Sequence, residues 1–247
     1  MASREMTLRD HLEELRKRLF YAAAAVALGT AAAFVFRDRV LDFLLAPGFD
    51  RLPDTRPIYT EVTEMVAVVM KVSLVAGAVV ALPVVLYQLV MFVTPGLTRR
   101  EKVYLFIFLP GTVVVFGLGA AFAYYVLFPP AFRFLFTFGA NNADAVIRIG
   151  SYMNVVTVLL FWMGIIFEMP LVMFFLARLG VVTAGSLVRL RRYAFILAFV
   201  AGAIITPTMD PVNQTLVALP IIVLYEVGIL LARLGQRLRR RKPTLAS

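Results

Sequence analysis

Carboxylates are scarce in this chain, fifteen in 247 residues, and their placement is uneven. Glu13 and Glu14 stand together in "HLEELRKRL" (His11–Leu19), immediately ahead of the first long apolar run. Glu101 sits in "TPGLTRREK" (Thr94–Lys102) beside three basic residues. Glu168, in "FEMP", falls about three residues, roughly 4–5 Å, from the midpoint of an apolar stretch. A carboxylate accepts hydrogen bonds from both arms of a guanidinium, and such charge-assisted pairs are strong and directional. The chemistry these positions suggest is recognition of arginine at the edge of an apolar phase, with one ionisable group kept inside it. Other chemistries lack their parts. There is no Cys, the single His11 leaves no two-histidine metal pair, and no phosphate-binding loop, zinc-protease helix or serine-nucleophile elbow occurs. No cofactor is expected, and the chain reads as a non-enzyme.

The elements that must hold these groups are membrane helices. Apolar residues make up 61% of the chain and charged ones only 16%, and mean hydropathy is +0.86. Soluble domains hold roughly 45–50% apolar residues. Spanning the hydrocarbon takes about 20 apolar residues, and candidate spans are Leu19–Phe36, Met65–Val93, Val103–Phe128, Tyr152–Ala177, Tyr193–Ile205 and Thr215–Ala232. The fifth has 13 residues, reaching roughly 20 Å, so the last two helices are expected to be short. Lys and Arg number eighteen in the termini and loops on one side and six on the other. That bias places both termini in the cytoplasm. The net charge of +10 then faces anionic lipid, not nucleic acid. An amino-terminal region with Glu5, Asp10, Glu13 and Glu14 is too acidic for a cleaved leader, so the first span is expected to stay.

The whole chain, 1–247, reads as one transmembrane domain, with a short amphipathic helix at 7–18 and a basic tail at 233–247. Thr7 and Asp10 offer a helix start, Leu8, Leu12, Leu15 and Leu19 form one stripe, and Glu13–Lys17 and Glu14–Arg18 pair at i,i+4. Read alone, that helix lies at the interface and its glutamates balance neighbouring basic residues. The segment 129–150, with Phe132, Phe134, Phe136 and Phe138 alternating, reads as an interfacial cap. Segment 37–64 reads as a compact proline-containing loop. Pro83, Pro110, Pro170 and Pro220 bend their helices and favour a concave assembly. Glu168 carries either a transport role or a hydrogen bond to a carbonyl freed near Pro170. Asp210-Pro211 suits a helix start. "ALPVVLYQ" (Ala81–Gln88) and "ALPIIVLYE" (Ala218–Glu226) echo one another, with internal spacing that differs by one, and read as a similar kink.

Taken in order, "HLEELRKRL", "TEM" with Lys71 seven residues later, "LPVVLYQ", "FVTPGLTRREK", "FAYYVLFPPAF", "FEMP", "RRYA" and "TPTMDPVNQTLVALPIIVLYE" resemble the TatC family of the twin-arginine protein translocase, from about Leu8 to Leu234. The resemblance implies six helices in a concave, glove-like bundle in the cytoplasmic membrane. It implies a cytoplasmic site for the paired arginines of signal peptides on folded cargo. The recognition glutamates fall on Glu14 and Glu101, with Arg16, Pro47, Phe92 and Pro95 as supporting positions. The intramembrane polar positions fall on Glu168 and Gln88, and those near the last hairpin, tied to partner contact, on Asp210 and Gln214. TatA- and TatB-type single-span proteins are the implied partners, self-association in a larger receptor complex the implied assembly, and proton-motive force the implied energy source. The turn "TPTMDP" carries one residue more than the family's usual form, which shifts Asp210 relative to Pro207. A secondary transporter of a small charged solute is the alternative; it calls for inverted repeats, and none is visible.

Overall fold

The computed structural model describes residues 8–49, 57–93, 99–138, 146–206 and 210–240, excepting the side chains of Leu8, Asp10, Val93, residues 99–108 and Arg240. Helices follow in the order α1 (Leu8–Val35), α2 (Arg37–Phe49), α3 (Glu64–Val93), α4 (Arg99–Phe122), a π-helical turn (Ala123–Leu127), α5 (Phe128–Thr137), α6 (Ile149–Leu179), α7 (Ala184–Ile205) and α8 (Pro211–Arg240). Among the described residues the extended pairing is a single bridge between Ile58 and Arg148. Among the described residues five helical runs, His11–Val35, Glu64–Phe92, Leu109–Thr137, Ile149–Leu179 and Pro211–Arg239, are long and apolar enough to cross a membrane. The protein is all-α and polytopic, as its composition requires. The fifth expected span lies in α7, where Arg189, Arg191 and Arg192 precede a 13-residue apolar stretch, Tyr193–Ile205.

The helix ends depart from the apolar pattern. No proline or glycine interrupts the chain from Leu8 to Leu28, so the amphipathic segment and the first span form one 28-residue helix. The threonine half of its expected cap, Thr7, lies outside the described residues. α8 likewise runs for 30 residues, and of the last two helices α7, with 22 residues, is the shorter. The expected interfacial loop after the third span is helical as far as Thr137. Pro129 and Pro130 carry no N–H, so the carbonyls of Tyr125 and Val126 lose their usual donors. The chain widens there into the π-helical turn, closed by the Phe128 N–H on the Ala123 carbonyl. It then resumes as α5 with the prolines in the first turn, where a missing donor costs least.

The helices pack as two units, Met1–Phe43 with Thr63–Val113, and Leu44–Val62 with Val114–Ser247. In the first, α1 lies along α3. Their backbones touch at Gly29 and Gly77, where a Cβ on Gly29 would stand 2.5 Å from the Gly77 carbonyl oxygen. In lipid, where helices gain little from burying apolar surface, such small-residue contacts carry the packing. In the second unit α8 packs on α6 and α7, around Met173, Ala177, Ala184, Leu187, Ile229 and Ala232. Phe132 of α5 stacks on Tyr152 of α6 with ring centroids 4.8 Å apart. Thr183 opens α7 through a reciprocal cap with Ser186.

Candidate functional site

Continuity of α1 puts Glu14 and Arg18 one turn apart on the face that meets α3. Arg18 Nη2 donates to Glu14 Oε1 at 3.2 Å. Its other arm, Nη1, donates to Gln88 Oε1 of α3, also at 3.2 Å. The Glu14 and Arg18 side chains are only 17% and 22% exposed. Glu14 Oε2 and Arg18 Nε are buried and have no hydrogen-bond partner among the described residues. One turn earlier on α1, the His11 ring stacks on Phe92 of α3 at 4.5 Å between centroids. Positions 11, 14 and 18 share one helix face, while Glu13, Arg16 and Lys17 are exposed. A buried polar atom left unbonded costs about 1–3 kcal/mol, and more when charged. Among the described residues, the cluster therefore holds one carboxylate oxygen whose hydrogen-bonding capacity is unmet.

Of the residues singled out in the sequence, Glu14, Gln88 and Phe92 thus meet on the α1–α3 pair. Gln88, grouped above with Glu168 as an intramembrane polar position, is engaged by Arg18. Arg16 is exposed. Pro95 lies outside the described residues, and Glu101 lies on α4 with its side chain outside them.

The other candidates belong to the second unit. Glu168 is half-buried on α6, its carboxyl turned to the Phe116 backbone of α4 and its Oε1 buried without a partner among the described residues. A charge at such a position is costly in a bilayer and marks function or a polar cavity. Pro47 lies near the end of α2, beside a cavity of about 500 Å³ also lined by Gly48, Tyr124, Tyr125 and Arg133. Next to it, Gly48 N–H donates to the Tyr152 hydroxyl at 3.1 Å, and that hydroxyl donates to the Leu44 carbonyl at 3.0 Å. Asp210 caps α8: its Oδ1 accepts from Asn213 N–H at 2.7 Å and its Oδ2 from Asn213 Nδ2 at 2.9 Å. Gln214 reaches back from α8, its Nε2 donating to the Phe199 carbonyl of α7 at 3.0 Å.

Sequence reasoning missed three contacts. Tyr152 entered it only as a span boundary. The fork between Arg191 and Glu226, with Nε–Oε1 at 2.6 Å and Nη2–Oε2 at 2.8 Å, joins α7 to α8. The Arg18–Gln88 bond links residues 70 apart. Local spacing rules cannot pair such distant groups; the one available signal was the recurrence of a polar residue, Gln88 or Glu226, after each "ALP" segment.

Known proteins with this organisation are clear. The family model described as "TatC: Sec-independent protein translocase protein (TatC)" matches residues 10–220. The Sec-independent protein translocase protein TatC of Aquifex aeolicus is 37% identical over 237 residues, 95% of this chain and 98% of that protein. That of Koribacter versatilis is 36% identical, over 98% of this chain and 90% of that protein. A crystal structure of the twin-arginine translocase receptor TatC superposes with a TM-score of 0.84 at 38% identity, covering 92% of this chain and all of that one. With its all-helical fold, its membrane-spanning runs and this likeness along nearly its full length, the chain belongs to the TatC family, a non-enzymatic component of the Sec-independent protein translocase.

Proposed function

We propose that this protein recognises the paired arginines of twin-arginine signal peptides through Glu14 and Glu101, with Arg16, Phe92 and Pro95 flanking the site. The observation that supports this most is the Glu14 carboxylate, half satisfied by Arg18 and with Oε2 unbonded. A guanidinium brings a fork of donors that matches such a carboxylate, and a lysine ammonium does not. Both termini and the α1 entrance face the cytoplasm in this reading, in keeping with the lysine and arginine bias. The following apolar part of the signal enters the membrane beside the receptor, and TatA- and TatB-type single-span proteins complete the passage. Proton-motive force supplies the energy, with Glu168 as the intramembrane group that responds. Asp210 and Gln214 set the geometry of the last hairpin, and Pro47 that of the α2 end, for contact with those partners. Photo-crosslinking in native membranes tests the reading. A signal bearing Arg-Arg should label the wild type more than one bearing Lys-Lys, and Glu14→Ala with Glu101→Ala should erase the difference. An unchanged preference in the double variant removes the recognition role.

A further inference from the structure

The two "ALP" segments end two helix pairs of one design. In α1 and α3, Arg18 precedes Gly29 by eleven residues, Gly29 closes on Gly77, Pro83 follows Gly77 by six, and Gln88 faces Arg18. In α7 and α8, Arg191 precedes Gly202 by eleven residues. Gly202 closes on Gln214, whose carbonyl oxygen would stand 2.9 Å from a Cβ there. Pro220 follows Gln214 by six, and Glu226 faces Arg191. The single-residue difference in spacing falls between proline and polar residue, after the crossing point.

The second pair shows what an arginine and a carboxylate do on this scaffold when left to each other. The place of Glu14, four residues before the arginine, is taken there by Leu187. Arg191 then closes both oxygens of Glu226 in a two-bond fork. In the first pair the facing residue is an amide. Gln88 Oε1 holds Nη1 of Arg18, only Nη2 reaches Glu14, and Glu14 Oε2 stays unbonded among the described residues. Arginine–carboxylate pairs favour the two-bond arrangement, so something must prevent it between Glu14 and Arg18.

We infer that Gln88 is a positioning residue for signal recognition: by holding one arm of Arg18 it keeps the fork open and leaves one Glu14 oxygen for the arginine of the incoming peptide. The inference rests on the proposed reading of Glu14. It assigns Gln88 no contact with cargo and makes its effect depend entirely on Arg18.

The test measures binding of a fluorescent Arg-Arg signal peptide, with a Lys-Lys peptide as control, to the full chain in lipid nanodiscs. Gln88→Leu removes the acceptor, Arg18 closes on both Glu14 oxygens, and Arg-Arg affinity falls by about tenfold, the value of one charge-assisted bond. Adding Arg18→Gln to Gln88→Leu frees Glu14 again and returns affinity to within a few-fold of wild type. A merely structural role for Gln88 gives no such rescue. If Gln88→Leu aggregates, Gln88→Met keeps the side-chain length without the acceptor and takes its place. Wild-type affinity in the single variant, or a loss that Arg18→Gln does not restore, overturns the inference. Wild-type affinity in Glu14→Ala overturns instead the reading beneath it, so the two failures are distinct.

Discussion

The Tyr152 hydroxyl occupies the gap in the helical ladder at Gly48, receiving its N–H at 3.1 Å and passing a hydrogen bond on to Leu44 at 3.0 Å. A side chain of α6 thereby completes the last turn of α2. A Cβ at Gly48 would stand 2.5 Å from the Tyr152 ring, so the close approach itself requires glycine. Tyr152→Phe leaves the ring stacked on Phe132 but orphans both backbone groups, at a cost of about 1–3 kcal/mol. Thermal unfolding in detergent should show a lower midpoint for this variant, and an unchanged midpoint would show that the relay contributes nothing.

The α1–α3 crossing leaves no room for a side chain. A Cβ at Gly77 falls on the backbone of Gly29 and Thr30. Gly77→Leu is expected to push the helices apart, costing about 1–3 kcal/mol or more, and to separate Arg18 from Gln88. Cysteines introduced at positions 18 and 88 and bridged by a bismaleimide should crosslink in the parent and lose that crosslink when Gly77→Leu is added. Efficient crosslinking in both places the pairing elsewhere than at this crossing.

Asp210 acts in the structure as an N-cap. Asp210→Ala should therefore cost about 1 kcal/mol, whereas Asp210→Asn and Asp210→Ser keep most of the stability. Transport by the asparagine variant separates the two roles this residue could fill. Retained transport fits capping alone, and its loss at unchanged stability assigns a role to the charge.

Glu168 presents a buried, unpartnered Oε1 on a membrane-spanning helix. If its charge or proton is part of transport, Glu168→Gln abolishes export of a folded reporter while leaving signal-peptide binding intact. Export at the wild-type rate removes Glu168 from the transport step.

The membrane class and nearly all the spans were legible because crossing lipid takes a long apolar run, which composition displays directly. Asp210 was legible for a similar reason, since an Asp-Pro start acts within one turn of helix. Helix ends were not, because polar residues such as Arg233, Arg237 and Arg239 extend α8 without an apolar signal. The phenylalanines of α5 misled in another way: an alternating pattern said nothing about the backbone, which Pro129 and Pro130 steer through a π-helical turn into helix. Glu14 was legible from its carboxylate beside an apolar run. Its partners were only half so: the i,i+4 spacing gave Arg18, whereas Gln88 arrives from a different helix and no local rule connects it.

The central claim is that Glu14 reads arginine, and affinity measures it most directly. Purified protein in nanodiscs, titrated with matched Arg-Arg and Lys-Lys signal peptides, should favour Arg-Arg by at least about tenfold, or roughly 1.4 kcal/mol. Glu14→Gln, which keeps the shape of the side chain and removes its charge, should bring the two affinities together. A Glu14→Gln protein that still prefers Arg-Arg by the wild-type ratio contradicts the account.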